Sequence, residues 1–152
     1  KVNPPLRTQA DVMALREGLA DGTIDIVATD HAPHPAESKE CEWQYAAFGM
    51  LGLETALPIL WQTMIETKMM DIETLQARMS SAPAQIGRYH SQGKALVKGA
   101  PANLTLFAPN KPWKVDRDLV ASKSKNTPFH GMEFGGSVVA TYFEGRESWR
   151  LK

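Results

Sequence analysis

The sequence predicts an α/β fold whose helices come first and whose strands are gathered at the end. Three observations lead there. A helical pattern is followed at once by a short β-branched run, Ile24-Asp25-Ile26-Val27-Ala28-Thr29-Asp30, which stops abruptly in polar residues. Helical spacing then dominates up to about residue 90. From Gln92 onward Gly and Pro punctuate short β-rich runs, which divides the chain into residues 1–90 and 91–152.

Each element has a local cause. Thr8 or Asp11 caps a helix to about Ala20, with Val12, Leu15 and Leu19 on one face and Asp21-Gly22 as the stop. Ile24–Asp30 reads as a buried strand of a parallel sheet. A polar loop with Pro33, Pro35 and many charges runs from His31 to about Ala47. Leu51–Lys68 is a helix candidate, with Leu53, Leu57, Leu60, Trp61 and Ile65 on one face and a kink expected at Pro58. Asp71 caps a helix carrying Ile72, Leu75 and Met79, and a short helix is expected around Pro83–Arg88. Strands are expected at 104–107, 113–115, 138–143 and 148–151, with Glu144-Gly145-Arg146 as a hairpin turn. A closed eight-stranded α/β barrel takes roughly 250 residues, so 152 residues cannot close one unaided.

Composition narrows the function classes. Apolar residues make up 43% of the chain and charged residues 22%, a balance that supports a packed core. Seventeen basic residues cancel seventeen acidic ones without a basic run, which removes the electrostatic case for a nucleic-acid or membrane-surface partner. Apolar stretches are interrupted well short of the ~20 residues of a membrane span. The single cysteine, Cys41, points to a reducing compartment and hence the cytoplasm, and has no adjacent base to make it a nucleophile. The chain opens on Lys1 and the loop-like Asn3-Pro4-Pro5-Leu6-Arg7, so it is expected to start inside a longer polypeptide.

Chemistry concentrates in Ala28-Thr29-Asp30-His31-Ala32-Pro33-His34, where a carboxylate and two imidazoles stand at the carboxyl end of the expected strand. Strand ends of α/β folds are where sites are built. There a carboxylate can bind a metal or move a proton, and imidazoles can bind an anion. The competing reading makes Asp30 a turn cap and the histidines ordinary loop residues, because Asp-His-x-x-His alone lacks the three or four ligands of a metal site. Met64, Met69, Met70 and Met79 read as core or interface filler. Trp43 and Tyr45 belong either to a pocket mouth or to surface packing. Arg7 is as readily a scaffold ion-pair partner as a substrate ligand.

The residues Ala28–His34, preceded by Asn3–Arg7 and followed by Phe48-Gly49-Met50-Leu51-Gly52-Leu53-Glu54-Thr55, closely resemble the carboxyl-terminal part of dihydroorotases of the long bacterial type. These are members of the amidohydrolase superfamily. Ser81-Ala82-Pro83-Ala84, the stretch from Gly93 to Leu106, and Lys125-Asn126-Thr127-Pro128-Phe129 extend the resemblance through the tail. It implies that residues 1–90 hold the last strand and helices of a (β/α)8 barrel, and that residues 91–152 form part of a small appended β-sandwich. It implies a zinc-dependent enzyme that reversibly cyclises N-carbamoyl-L-aspartate to L-dihydroorotate in pyrimidine biosynthesis, with a homodimer as the family's usual assembly.

Residue by residue, the resemblance makes Asp30 both a metal ligand and the catalytic proton shuttle. Asn3 and His34 become substrate-binding residues, and Phe48 and the backbone of Gly49 contact the pyrimidine ring. Simple packing is the alternative for Phe48, and a supporting loop role is preferred for His31. The family's His-x-His pair, bridging carboxylate and middle-strand histidines have no counterpart here, so a missing amino-terminal portion must supply them and the chain alone is expected to be inactive. Ala102-Asn103-Leu104 stands where the family usually has Ala-Asp-Leu. Two other readings remain: a hydantoinase or allantoinase acting on related cyclic amides, and a non-catalytic dihydroorotase-like partner of aspartate transcarbamoylase.

Overall fold

A computed structural model describes residues 1–151. Helix α1, Gln9–Asp21, opens with a capping box: the Thr8 side chain accepts from the Asp11 amide, and the Asp11 carboxylate accepts from Thr8. It closes on Gly22 at φ 96°, a left-handed stop that glycine takes without a Cβ penalty.

The expected strand Ile24–Asp30 does not form a ladder. Its amide at Val27 donates to the Arg78 carbonyl, and Arg78 in turn donates to the carbonyls of Leu19 and Asp25. A strand is defined by its neighbours. Among the described residues this segment meets one only at its end, where His31 forms an isolated parallel bridge with Met50.

The polar loop contains one short helix, α2, Ala36–Lys39. The helix expected from Leu51 begins later, as α3, Ala56–Leu60, and widens into a π turn over Trp61–Ile65. Residues 51–53 are held elsewhere: the Leu51 amide donates to the Asn126 carbonyl, and those of Gly52 and Leu53 to His31 Nδ1. Pro58 therefore falls in the first turn, where its missing N–H costs nothing. The Thr63 hydroxyl donates to the Ile59 carbonyl at 2.7 Å, and that back-bonding competes with the ordinary ladder where the helix widens.

Asp71 caps α4, Ile72–Gln76, with the Thr74 amide 2.8 Å from its carboxylate. A second π turn, Ala77–Ser81, joins α4 to α5, Ala82–Ile86, so the two helices expected here are one continuous rod. The core lies between these elements: Leu19, Met64, Met70 and Leu75 are buried together, with Ile24, Val27, Leu57, Trp61 and Met79 against them. Met64, Met69, Met70 and Met79 are thus core filler.

Strands β1, Leu104–Ala108, β4, Ser137–Phe143, and β5, Arg146–Arg150, form an antiparallel sheet in the order β1-β4-β5. Strands β2, Trp113–Lys114, and β3, Glu133–Phe134, form a two-stranded pair. The hairpin turn is where it was expected, with Glu144 at φ 49° and Gly145 at φ 79°, the paired positive values of a turn that matches strand twist. A register shift at Leu106/Phe107 accompanies the contact of Phe107 with Trp61, ring centroids 4.9 Å apart, which ties the sheet to the helices. No helix is long and apolar enough to cross a membrane among the described residues.

Candidate functional site

The end of the 24–30 segment and the loop before α3 form two walls of one cleft of about 230 Å³. The bridge at His31–Met50 and the bond from the Ala32 amide to the Met50 carbonyl, 2.9 Å, hold those walls side by side. The amino-terminal segment closes a third side. Asn3, Asp30, Phe48 and Gly49 all line the cleft, together with Val2, Pro4, Leu6, Thr29 and Met50. Four of the five residues singled out in the sequence therefore share one cavity, across 46 positions of chain from Asn3 to Gly49.

Asp30 is exposed and adopts φ 44°, a left-handed conformation that aspartate tolerates better than most residues. Its carboxylate makes no hydrogen bond to any described residue, so it caps nothing. A residue held at a sparsely populated backbone angle with its polar group turned free into a cleft fits a functional role. Gly49 has φ 126°, and a Cβ there would collide with that of Ala32 and stand 3.2 Å from His34 Nε2. The position requires glycine for both conformation and space.

His34 does not line the cleft; it stands behind the wall. Its Nε2 lies 2.8 Å from the Phe48 carbonyl, an acceptor, which makes Nε2 the protonated nitrogen. In the neutral ring Nδ1 is left as an acceptor, and only the doubly protonated ring can donate there. His31 has a supporting role: its Nδ1 accepts from the amides of Gly52 and Leu53 at 3.1 and 3.3 Å, fixing the loop before α3. Trp43, Tyr45 and Arg7 are exposed and do not line the cleft.

The residues that hold this architecture together were missed in the sequence. Lys39 donates to the carbonyls of Ala47 and Gly49 at 2.8 and 2.9 Å. Asn126 bonds to both walls from the far end of the chain. Lys1 places its ammonium 4.5 Å from the centre of the Phe48 ring while donating to the Trp43 carbonyl. A lysine in a polar loop has no local signal of such a role. Asn126 carried one, since it stands in the tail motif that resembles the dihydroorotases.

The donor set does not make a metal centre. No three His, Cys, Asp or Glu side chains converge among the described residues. Among the described residues, Asp30 is the only one of these types that lines the cleft; His31 Nδ1 already accepts two backbone amides, and His34, though its Nδ1 is free, stands behind the wall. A structural or catalytic zinc takes three or four protein ligands.

Comparison with known proteins agrees with the motifs. A dihydroorotase of Streptomyces coelicolor is 55% identical over 146 residues, 96% of this chain and 34% of its own length. That of Mycobacterium tuberculosis is 46% identical over 150 residues, 99% of this chain and 35% of its own. The chain resembles the dihydroorotases along almost its whole length. It spans about a third of the length of the curated relatives it matches. No protein-family model matches it. Among solved structures, the L-hydantoinase (dihydropyrimidinase) of Arthrobacter aurescens superposes with a TM-score of 0.89 at 34% identity, over 99% of this chain and 34% of that one. A D-hydantoinase of a Thermus species shares the fold at TM-score 0.87 and 24% identity, over 98% of this chain and 33% of that one. The dihydroorotase-like chain is thus an α/β part of an amidohydrolase-like fold.

Proposed function

We propose that this chain is the carboxyl-terminal part of a dihydroorotase that reversibly converts N-carbamoyl-L-aspartate to L-dihydroorotate in pyrimidine biosynthesis. The observation that carries the reading is the 55% identity to a dihydroorotase over 96% of the chain. The convergence of Asn3, Asp30, Phe48 and Gly49 on one cleft supports it. In this reading residues 1–90 carry the last strand and helices of the barrel, and 91–152 part of the appended β-sandwich. The unpaired segment before Asp30 then finds its neighbouring strands in the remainder of the protein. The whole enzyme is a cytoplasmic homodimer.

The chemistry assigned to this chain is proton transfer and substrate positioning. In ring opening, water adds to the ring amide carbonyl, a C–O bond forms and the C–N bond breaks. Asp30 takes the proton released by the attacking water and returns it to the departing ring nitrogen. Ring closure reverses each step. Phe48 lies against the face of the ring, the Gly49 backbone approaches its edge, Asn3 binds a substrate carboxylate or carbonyl group, and His34, behind the wall, holds the Phe48 carbonyl in place. Zinc would polarise the carbonyl and acidify the attacking water, but the described residues bring together no set of three ligands for it. Its remaining ligands must come from the rest of the protein.

The superposition on an L-hydantoinase at 34% identity favours, as a second reading, opening of a hydantoin ring. The test is a comparison of kcat/KM for dihydroorotate, hydantoin and allantoin with the whole protein that contains this chain. Dihydroorotate turned over at the highest efficiency upholds the reading. A preference for hydantoin or allantoin, or no turnover of any of the three, overturns it.

A further inference from the structure

We propose that Asn126, acting with Lys39, is a positioning residue that fixes the substrate-facing wall of the cleft from outside it. The proposal rests on the dihydroorotase reading for its kinetic consequence and stands on geometry for the rest. The Asn126 carboxamide lies between the two walls. Its Oδ1 accepts the His34 amide at 3.3 Å, while its Nδ2 donates to the carbonyls of Ala32 at 2.9 Å and Gly49 at 3.3 Å. Its main-chain carbonyl accepts the Leu51 amide at 3.1 Å. The orientation of the amide follows from its partners, since a backbone N–H needs an oxygen and two carbonyls need an N–H.

Lys39 completes the clasp. Its ammonium bonds to the carbonyls of Ala47 and Gly49, on either side of Phe48. Gly49 thus receives donors from two side chains whose positions are 87 residues apart in sequence. A glycine at φ 126° is conformationally free in isolation. The ring of Phe48 and the backbone of Gly49 hold a defined place because these donors restrain them. Neither Asn126 nor Lys39 lines the cleft, so each acts through the wall.

The test uses the whole protein with Asn126→Asp, Asn126→Ala and Lys39→Met. Asn126→Asp keeps the shape while removing both donors. Asn103→Ala is the control: Asn103 also ties backbone in the tail, to Ser91 and Glu144, but away from the cleft. The Asn126 and Lys39 variants are expected to raise KM for dihydroorotate about tenfold with kcat changed by less than about threefold. Their backbone amides over residues 48–52 should exchange hydrogen faster. Asn103→Ala should leave both quantities at the wild-type values. If one Asn126 variant fails to fold, the other and Lys39→Met decide the matter. Wild-type KM and wild-type exchange in folded variants overturn the proposal. A wild-type protein that does not turn over dihydroorotate overturns the enzymatic reading instead, and exchange over 48–52 then decides the clasp alone.

Discussion

At the scale of single residues, Asp30 combines three properties that separate a working carboxylate from a structural one. It lines the cleft, its backbone is in a left-handed conformation, and its oxygens have no partner among the described residues. Removing such a group leaves no broken hydrogen bond behind, so Asp30→Ala in the whole protein should fold normally. Its kcat should fall by about 10²–10⁴-fold, the usual share of a general acid–base residue. Steady-state kinetics beside a circular dichroism spectrum will check this, and near-normal turnover removes Asp30 from the chemistry. His34 differs, because its ring already supports Phe48. His34→Ala should raise KM more than it lowers kcat, and an unchanged KM would count against any part in substrate binding.

At the scale of elements, capping carboxylates set the acid limit of the helices. Hydrogen bonds from Thr74, hydroxyl first and amide second, hold the Asp71 carboxyl below its usual range, and Thr8 does the same for Asp11. A carboxyl lowered in the folded state contributes stability that is fully present above its unfolded value near 3.8. That contribution is lost as pH falls through the lower folded value. The melting temperature of the whole protein should therefore drop as pH falls below about 4. An Asp11→Asn, Asp71→Asn double variant, which still caps but does not titrate, should show a shallower drop. Parallel pH profiles would exclude these caps as contributors. Inside the core, Met64→Ala empties a buried site and should cost about 2–5 kcal/mol, read from chemical denaturation.

What could be read from the sequence follows the range of each cause. The first helix, the Asp71 cap and the last hairpin are set by neighbours within a few positions, and all were legible; strand β1 was legible from its own apolar run although its partner β4 lies far along the chain. The helix start at Leu51 was not, because residues 50–53 are held as an extended loop by distant partners: Met50 bridges His31, and the following amides bond to Asn126, 75 positions away, and to His31. Apolar periodicity across 51–68 reports which face is buried, not which amides are already engaged. A resemblance of motifs singled out Asn3, Asp30, Phe48 and Gly49, and the fold brings these four to one cleft. The strand at 24–30 failed as a ladder because apolar β-branched content marks a buried extended segment but cannot supply its neighbour.

At the scale of the whole molecule, the donor set decides where a metal could be held. Among the described residues the cleft offers one metal-ligating carboxylate, Asp30, where zinc needs three or four ligands. If this chain belongs to a protein as long as its relatives, of which it spans about a third, and the remaining donors lie outside it, zinc affinity belongs to the whole and not to this part. The 152-residue chain prepared alone, dialysed against zinc and then against buffer, should retain well under one equivalent by atomic absorption. The whole protein under the same treatment should retain at least about one. Stoichiometric zinc on the isolated chain would mean that His31 gives up its backbone amides, or that His34 moves out from behind the wall, to join Asp30. Binding should then accelerate amide exchange at Gly52 and Leu53 if His31 moves. Should His34 move instead, the change would fall on the Phe48–Gly49 wall.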